Sequence, residues 1–284
     1  MDWIERLNSA IRYIEEHLSD NVNYEEVAKV ACCSAYHFQR MFSYMADIPL
    51  SEYIRRRRMT LAAVDLQNGE EKIVDVALKY GYDSPTAFNR AFQSVHGIAP
   101  SLVKAGGVSL KSFSPISFKI TIKGAAEMDY RIEKKDAFRI VGIAEPLEKE
   151  IEKNFENVPK MWEKAATDGT IPKLVALMNS EPMGILGVSV CSDMNNQRYF
   201  IAVASTKPIE NSLEEYIVPQ STWAVFSGEG TGKSIQELEK RIVVEWLPTS
   251  GYEYTNAPDI EVYLSDDPQN VKYEVWVPVI KKEK

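Results

Sequence analysis

Residues 34–42 read SAYHFQRMF and residues 84–92 read SPTAFNRAF. Upstream of the first stands Val27-Ala28 and upstream of the second Val76-Ala77, while Pro49 and Pro100 follow them. The offset is 49 before the turn, 50 through Ser34/Ser84, Phe38/Phe88, Arg40/Arg90 and Phe42/Phe92, and 51 at the prolines. A short helix, a turn and a capped second helix, occurring twice, predict two helix-turn-helix units in one polypeptide. Such a chain has the means to read two successive major grooves of double-stranded DNA.

Outward from these stretches, residues 3–18 place Trp3, Ile4, Leu7, Ile11, Ile14 and Leu18 at helical spacing. Asn23 is a cap for a helix over 24–30, and Ala31-Cys32-Cys33 makes the turn. Ser34 caps a helix over 35–45. On it Phe38, Met41, Phe42 and Met45 form a core face, and Tyr36, Gln39, Arg40 and Ser43 the opposite one. In the second copy Gly81 closes helix 73–80, and Ser84-Pro85 supplies a cap and a first-turn proline. Phe88, Ala91, Phe92 and Val95 turn inward; Thr86, Asn89, Arg90 and Gln93 turn outward. Arginine suits guanine, and Asn or Gln suits adenine or a phosphate. A helix over about 50–67 joins the copies and carries Arg55-Arg56-Arg57-Arg58. Ile54, Leu61, Ala62 and Asp65 lie near the side of Arg58, which predicts an internal ion pair there. Arg55 or Arg56 is the phosphate contact. His37 and His96 read as structural.

Composition bounds the alternatives. A length of 284 residues with 45% hydrophobic and 26% charged content fits two ordinary globular domains. No apolar run approaches the ~20 residues of a membrane span, and MDWIERLNSA is not a signal sequence. Three cysteines give neither a disulfide framework nor a metal spacing, which points to a reducing cytosol. The chain carries net charge −8, and residues 1–104 hold 12 Lys+Arg against 14 Asp+Glu. A DNA-reading face must therefore come from local placement of charge.

Residues 5–104 resemble the DNA-binding domain of the AraC/XylS family of transcription regulators. The match lies in SAYHFQRMF, PLSEYIRRRRM, IVDVALKYGYDSPTAFNRAF and GIAPS. The resemblance implies two helix-turn-helix units joined by a rigid helix, binding promoter DNA as a monomer and recruiting RNA polymerase. Ser34, Tyr36, Gln39 and Arg40 fall in the first reading helix and its cap, and Thr86, Asn89 and Arg90 in the second. Arg55 is the expected backbone contact. Pro85 and Ala87 stand where some relatives carry polar residues.

Beyond Ala105-Gly106-Gly107 the text changes. The reading is an all-α domain over 1–106, a linker and leading strand over 107–127 (SFSPISFKITIKG alternates in strand fashion), and an α+β domain over 128–284. Within the last, FRIVGIA (138–144) precedes a helix over 150–167, and TWAVFS (222–227) precedes one over 234–245. Val141 to Trp162 and Val225 to Trp246 are both 21 residues. Each half ends in a hairpin, 184–193 with 198–205 and 260–267 with 273–280. A duplicated strand-helix-hairpin unit would leave a cleft. Four of the five tryptophans lie in this domain. In the strand Ile260-Glu261-Val262-Tyr263-Leu264, if the aliphatic residues face the helices, Glu261 and Tyr263 face the concave side. There a carboxylate with Trp162, Tyr263 and Trp276 would accept a cationic aromatic molecule; the alternative is a solvated glutamate.

Residues 128–284 resemble the GyrI-like effector-binding domain, through MDYRIEKKDAFRIVGI, NFENVPKMWEK, STWAVFSGEG, VVEWLPTSGYE, DIEVYLSDD and YEVWVPV. The whole chain thus has the architecture of Rob-type regulators. The resemblance implies that Glu261 lies at the bottom of a drug pocket with Trp276 beside it. It implies no cofactor and no metal. Some GyrI-like proteins hydrolyse reactive small molecules, so a hydrolase with Glu261 as base is a second reading, and a domain that only docks protein partners a third. The loop GEGTGKS (228–234) is not a nucleotide site, because Ser227 stands where the phosphate-binding pattern needs glycine.

Overall fold

A computed structural model describes residues 3–69, 71–104, 107–119, 127–191, 197–209, 212–265 and 270–282. The chain divides into two compact units, residues 1–119 and 120–284.

The first unit is helical: α1 Trp3–Glu16, α2 Tyr24–Ala31, α3 Ala35–Ala46, α4 Leu50–Asn68, α5 Ile73–Lys79, α6 Pro85–His96 and the short α7 Pro100–Val103. The caps are those expected. Asn23 accepts from Glu25 N, Ser34 from His37 N, and Ser84 from Ala87 N, each answering an amide without a helical partner. The two copies turn the chain alike. Cys32 (φ 57°) and Gly81 (φ 79°), 49 residues apart, both sit in the left-handed region after the first helix. Glycine fits there freely; Cys32 costs roughly 1 kcal/mol more. Phe88 and Phe92 are fully buried against Met59, Ala62 and Leu66 of α4 and Val76 of α5. Phe38 and Phe42 are buried in the first copy, the latter against Tyr53 (ring centroids 5.4 Å).

The arginine run is divided by helix geometry. Arg57 makes the buried ion pair, with Glu15 of α1 (2.6 Å), and also donates to Phe113 O (2.5 Å). Arg58, expected to be the ion-paired member, instead donates to the carbonyls of Leu18 (2.9 Å) and Asp20 (2.6 Å), just past the end of α1. One residue along α4 turns the side chain by about 100°, from Glu15 to that run of orphan carbonyls. Arg55 and Arg56 both pair with Glu52, and Arg55 also reaches Ser94 Oγ of α6 (3.1 Å).

Residues 107–119 form no strand. They lie extended on the helical unit, held by side chains from three helices. Asn8 brackets Phe118 (2.8 and 2.9 Å), Tyr53 OH accepts from Ile116 N (3.2 Å), Thr60 Oγ1 from Phe113 N (3.1 Å), and His96 Nδ1 from Lys111 N (3.2 Å). The described part of the expected linker is thus a strap across α1, α4 and α6. The rest of its strand-like text, 120–124, lies outside the described residues.

The second unit is built on one antiparallel sheet. Its strands are β1 Tyr130–Lys135, β2 Phe138–Pro146, β3 Ile185–Val190, β4 Arg198–Ala204, β5 Glu214–Val218, β6 Ser221–Gly230, β7 Tyr252–Tyr254, β8 Asp259–Tyr263 and β9 Val271–Lys281. The order is β1-β6-β9-β8-β3-β4-β2-β5, with β7 on β9. This order reads the same from both ends: β2-β4-β3 mirrors β6-β9-β8 about the β3–β8 pair. The duplicated strand-helix-hairpin is therefore real. Helices α8 Ile151–Thr167 and α9 Thr170–Leu177 follow β2; α10 Gly232–Arg241, continued by a π-helical turn to Trp246, follows β6. The equal spacing of the two tryptophans is not part of the symmetry. Val141 packs with the α8 side of the sheet and Val225 with the other side.

The sheet curls. Phe138 of β2 touches Trp223 of β6 (centroids 6.3 Å), although four strands separate them in the order. The inner face is packed with Ile140, Leu186, Val188, Phe200, Trp223, Ile260, Val262 and Trp276. The outer face carries Val141, Tyr199, Ile201 and Val203 under Met161, Ala165 and Leu174 of α8 and α9.

Arg57→Ala leaves the Glu15 carboxylate without its guanidinium and removes a strap contact. It is expected to destabilise the helical unit by about 3 kcal/mol. Urea unfolding followed by circular dichroism at 222 nm measures this; an unchanged midpoint for the helical transition refutes it.

Candidate functional sites

The two reading helices present different surfaces. On α6, Thr86 and Arg90 are exposed and Asn89 is half-buried. Arg90 has no ion-pair partner among the described residues, so its guanidinium is available to an anionic or guanine edge. On α3 the face expected to read DNA is largely covered. Tyr36 is 8% and Gln39 3% exposed. Gln39 folds back to donate to Ala35 O (3.4 Å), and the Tyr36 ring lies edge-on to His37 (6.1 Å). Arg40 is half-buried, donating to Tyr44 OH (3.3 Å) with its guanidinium 5.7 Å from that ring. Ser34 is occupied as the helix cap, and Arg55 is held by Glu52 and Ser94.

In the second unit, β8 alternates across the sheet. Ile260 and Val262 enter the packed inner face, so Glu261 and Tyr263 point to the outer, helix-bearing face. This reverses the expected arrangement, in which the aliphatic residues met the helices. The inner face closes on itself, so it takes the branched aliphatic side chains. Glu261 lies opposite Gly187 of β3 and Val275 of β9.

Around the Glu261 carboxylate a short network forms. Tyr263 OH donates to Oε2 (2.7 Å), and Tyr199 OH reaches the same oxygen (3.4 Å). Trp162 Nε1 of α8 donates to the Tyr199 oxygen (2.9 Å), and the Trp162 and Tyr263 rings are 4.8 Å apart. Burial first, and then the Glu261 charge, hold the Tyr263 phenol well above its usual range. Two phenol donors stabilise negative charge on the carboxylate oxygen, and ring faces surround it. The combination accepts a cation that brings apolar surface.

Trp276 is not in this network. It pairs with Ile260 across β8 and β9, which places it on the inner face. There it touches Trp223 (6.1 Å), donates to Glu274 (2.8 Å) and lies under Lys135 (5.2 Å). The register of the β8–β9 hairpin decides this, and a sequence does not print its register. Tyr199 and Gly187 were not singled out from the sequence. The glycine in the middle of the apolar strand ILGVSV is the signal that marks close approach of another group. Tyr273, paired with Tyr263, reaches Ser234 of α10 instead (3.0 Å).

A raised phenol pKa makes a testable statement about pH. The group is neutral when protonated, so its contribution to stability is complete below the unfolded value of about 10 and is lost as pH rises beyond it. Wild-type protein is expected to lose more stability between pH 8 and pH 10.5 than Tyr263→Phe, with the urea midpoint of the sheet unit as the measure. Equal losses in both proteins overturn the assignment.

Two family models match separate stretches of the chain. Residues 131–279 match the family model described as integron-associated effector binding protein, and residues 27–105 match a helix-turn-helix domain. The HTH-type transcriptional activator AarP of Providencia stuartii is 36% identical over 98 residues, which is 34% of this chain and 73% of AarP. Regulatory protein SoxS of Salmonella typhimurium is 39% identical over 95 residues, 34% of this chain and 89% of SoxS. A solved structure of SAV2435 bound to tetraphenylphosphonium is 21% identical, with a TM-score of 0.48 over 54% of this chain and 94% of that one. These relatives by sequence are transcription regulators, not enzymes. With both models matched in order and the larger covering more than half the chain, the protein belongs to the integron-associated effector binding protein family and is a DNA-binding regulator whose AraC-type helix-turn-helix domain precedes its effector-binding domain.

Proposed function

We propose that this regulator activates transcription in response to a lipophilic cation bound at Glu261. The observation that carries the reading is the Glu261 carboxylate set among Trp162, Tyr199 and Tyr263 on the helix-bearing face. A carboxylate bordered by aromatic rings attracts a matching positive charge. Ring faces favour a cation with a hydrophobic shell over a simple metal ion. The helical unit binds promoter DNA, with Arg90, Asn89 and Thr86 supplying the base-reading surface on α6 and Arg40 that on α3. RNA polymerase is its partner in activation, and the protein acts as a monomer in the cytoplasm. Coupling requires that the ligand favour one functional state of the chain over another.

Thermal denaturation tests the ligand. Tetraphenylphosphonium at a hundredfold excess over its dissociation constant is expected to stabilise the sheet unit by about 2.7 kcal/mol. Glu261→Gln is expected to abolish the shift. A shift that survives in the mutant moves the site elsewhere. Gel-shift titration tests the reading face. Arg90→Ala is expected to weaken specific DNA binding by about 1–3 kcal/mol and to relax preference at one base position. Unchanged affinity and preference remove Arg90 from the interface.

A further inference from the structure

The extended segment 107–119 is seated in two cores. Leu110 and Phe113 pack against the core of the second helix-turn-helix copy, which holds Met59, Val76, Phe88 and Phe92. Five residues after Phe113, Phe118 is buried edge-on to Phe42 of the first copy (ring centroids 5.8 Å). The backbone anchors follow the same division. Lys111 N donates to His96 of α6, and Asn8 of α1 takes both the N–H and the carbonyl of Phe118. Between these ends α4 holds Phe113 through Thr60 and Arg57, and Ile116 through Tyr53. His96 is bound at its second ring nitrogen too, to Met59 O of α4 (3.0 Å). The segment therefore runs from the second copy to the first, alongside the helix that joins them.

That course has a mechanical consequence. Helix α4 belongs to both copies, with Tyr53 against Phe42 at one end and Met59 and Leu66 in the second core at the other. A helix of 19 residues is one rod, and long helices curve under the packing around them. A second tie fastened at both ends resists bending and twisting of the first. Little slack is left in it: Ser114-Pro115 fills the gap between the anchored Phe113 and Ile116, and the proline ring fixes its own φ.

Two reading helices on one chain engage a duplex together only when their separation matches its helical turn. One base pair more or less between the two boxes moves one of them by about 3.4 Å and turns it by about 35°. Loosely joined units follow such a change at small cost; braced units do not. We propose that segment 107–119 is a brace that sets the box spacing this regulator accepts. Phe113 and Phe118 seat it in the two cores, and His96 and Asn8 tie its backbone to α6 and α1. These four are positioning residues, acting on DNA recognition through the separation of α3 and α6. The inference rests on the reading of both α3 and α6 as DNA contacts.

The test uses the full chain. Duplexes selected from a random pool give a preferred site, hydroxyl-radical footprinting locates its boxes, and versions with one base pair added or removed between them are titrated by gel shift. The wild type is expected to lose about thirtyfold in affinity on either change. Two glycines inserted between Ser114 and Pro115 keep every anchor and add slack; the loss is then expected to shrink to about threefold. Asn8→Ala, which cuts the tie to α1 without emptying a core, is expected to bring it to about tenfold. Reduced stability alone weakens binding to every spacing alike, so the ratio between spacings separates a brace from a merely structural segment. An unchanged ratio in the glycine variant overturns the proposal; if that variant fails to fold by circular dichroism, an unchanged ratio in Asn8→Ala does so. A wild type that protects two boxes yet ignores their spacing also overturns the brace and leaves two-helix reading intact. Protection of a single box removes the two-helix reading, and the brace with it.

Discussion

The register in which β3 meets β8 governs the second unit. That pair sits at the centre of the strand order, with the two halves of the duplication on either side. Antiparallel pairing sets Gly187 opposite Glu261 and Leu186 opposite Val262. A slip of one residue would turn every side chain of β8 to the wrong face, bringing Glu261 into the closed inner core. The inner core prevents that slip, because Ile260 and Val262 fill it against Trp223, Trp276 and Leu186. The apolar packing on one face thus holds a carboxylate on the other.

Curling of the sheet gives the faces unequal roles. The inner face satisfies itself through contacts such as Phe138 with Trp223, and no helix is needed to cover it. The outer face is wider and requires α8, α9 and α10. Helices leave more irregular surface than strands, and the polar groups gather there: Glu261, Tyr199, Tyr263, Tyr273 and the Trp162 indole. The duplication makes the frame symmetric and the site asymmetric. Tyr199 leans to Glu261, whereas Tyr273 leans over Gly228 to Ser234.

In the helical unit Arg57 has a comparable role. It joins α1 to α4 through Glu15 and fixes the strap through Phe113 O. With Asn8, Thr60, Tyr53 and His96, it gives residues 107–119 the backbone partners that an extended segment otherwise takes from a sheet or from water. Apolar alternation in SFSPISF reads as a strand, but the alternate residues here meet helices: Phe118 packs on Phe42 and Phe113 lies by Arg56.

Helices with caps at Asn23, Ser34 and Ser84, the two turns, the duplicated strand-helix-hairpin and its hairpin pairs were all legible in the sequence, because each is fixed by local spacing and by residues that answer neighbouring backbone groups. Glu261 and Tyr263 were also legible as companions, being two apart on one strand. Which face they occupy was not. Hairpin register and sheet curl decide that, and they moved Trp276 to the inner core and brought in Tyr199 and Gly187 from strands some 60 to 75 residues away. Likewise the arginine run declared a charged helix, but only the position of Glu15 across the helix pair chose Arg57 over Arg58. A sequence determines which groups its chain offers and the local geometry in which they are offered; the tertiary structure decides which of them meet, because that depends on packing between segments distant along the chain.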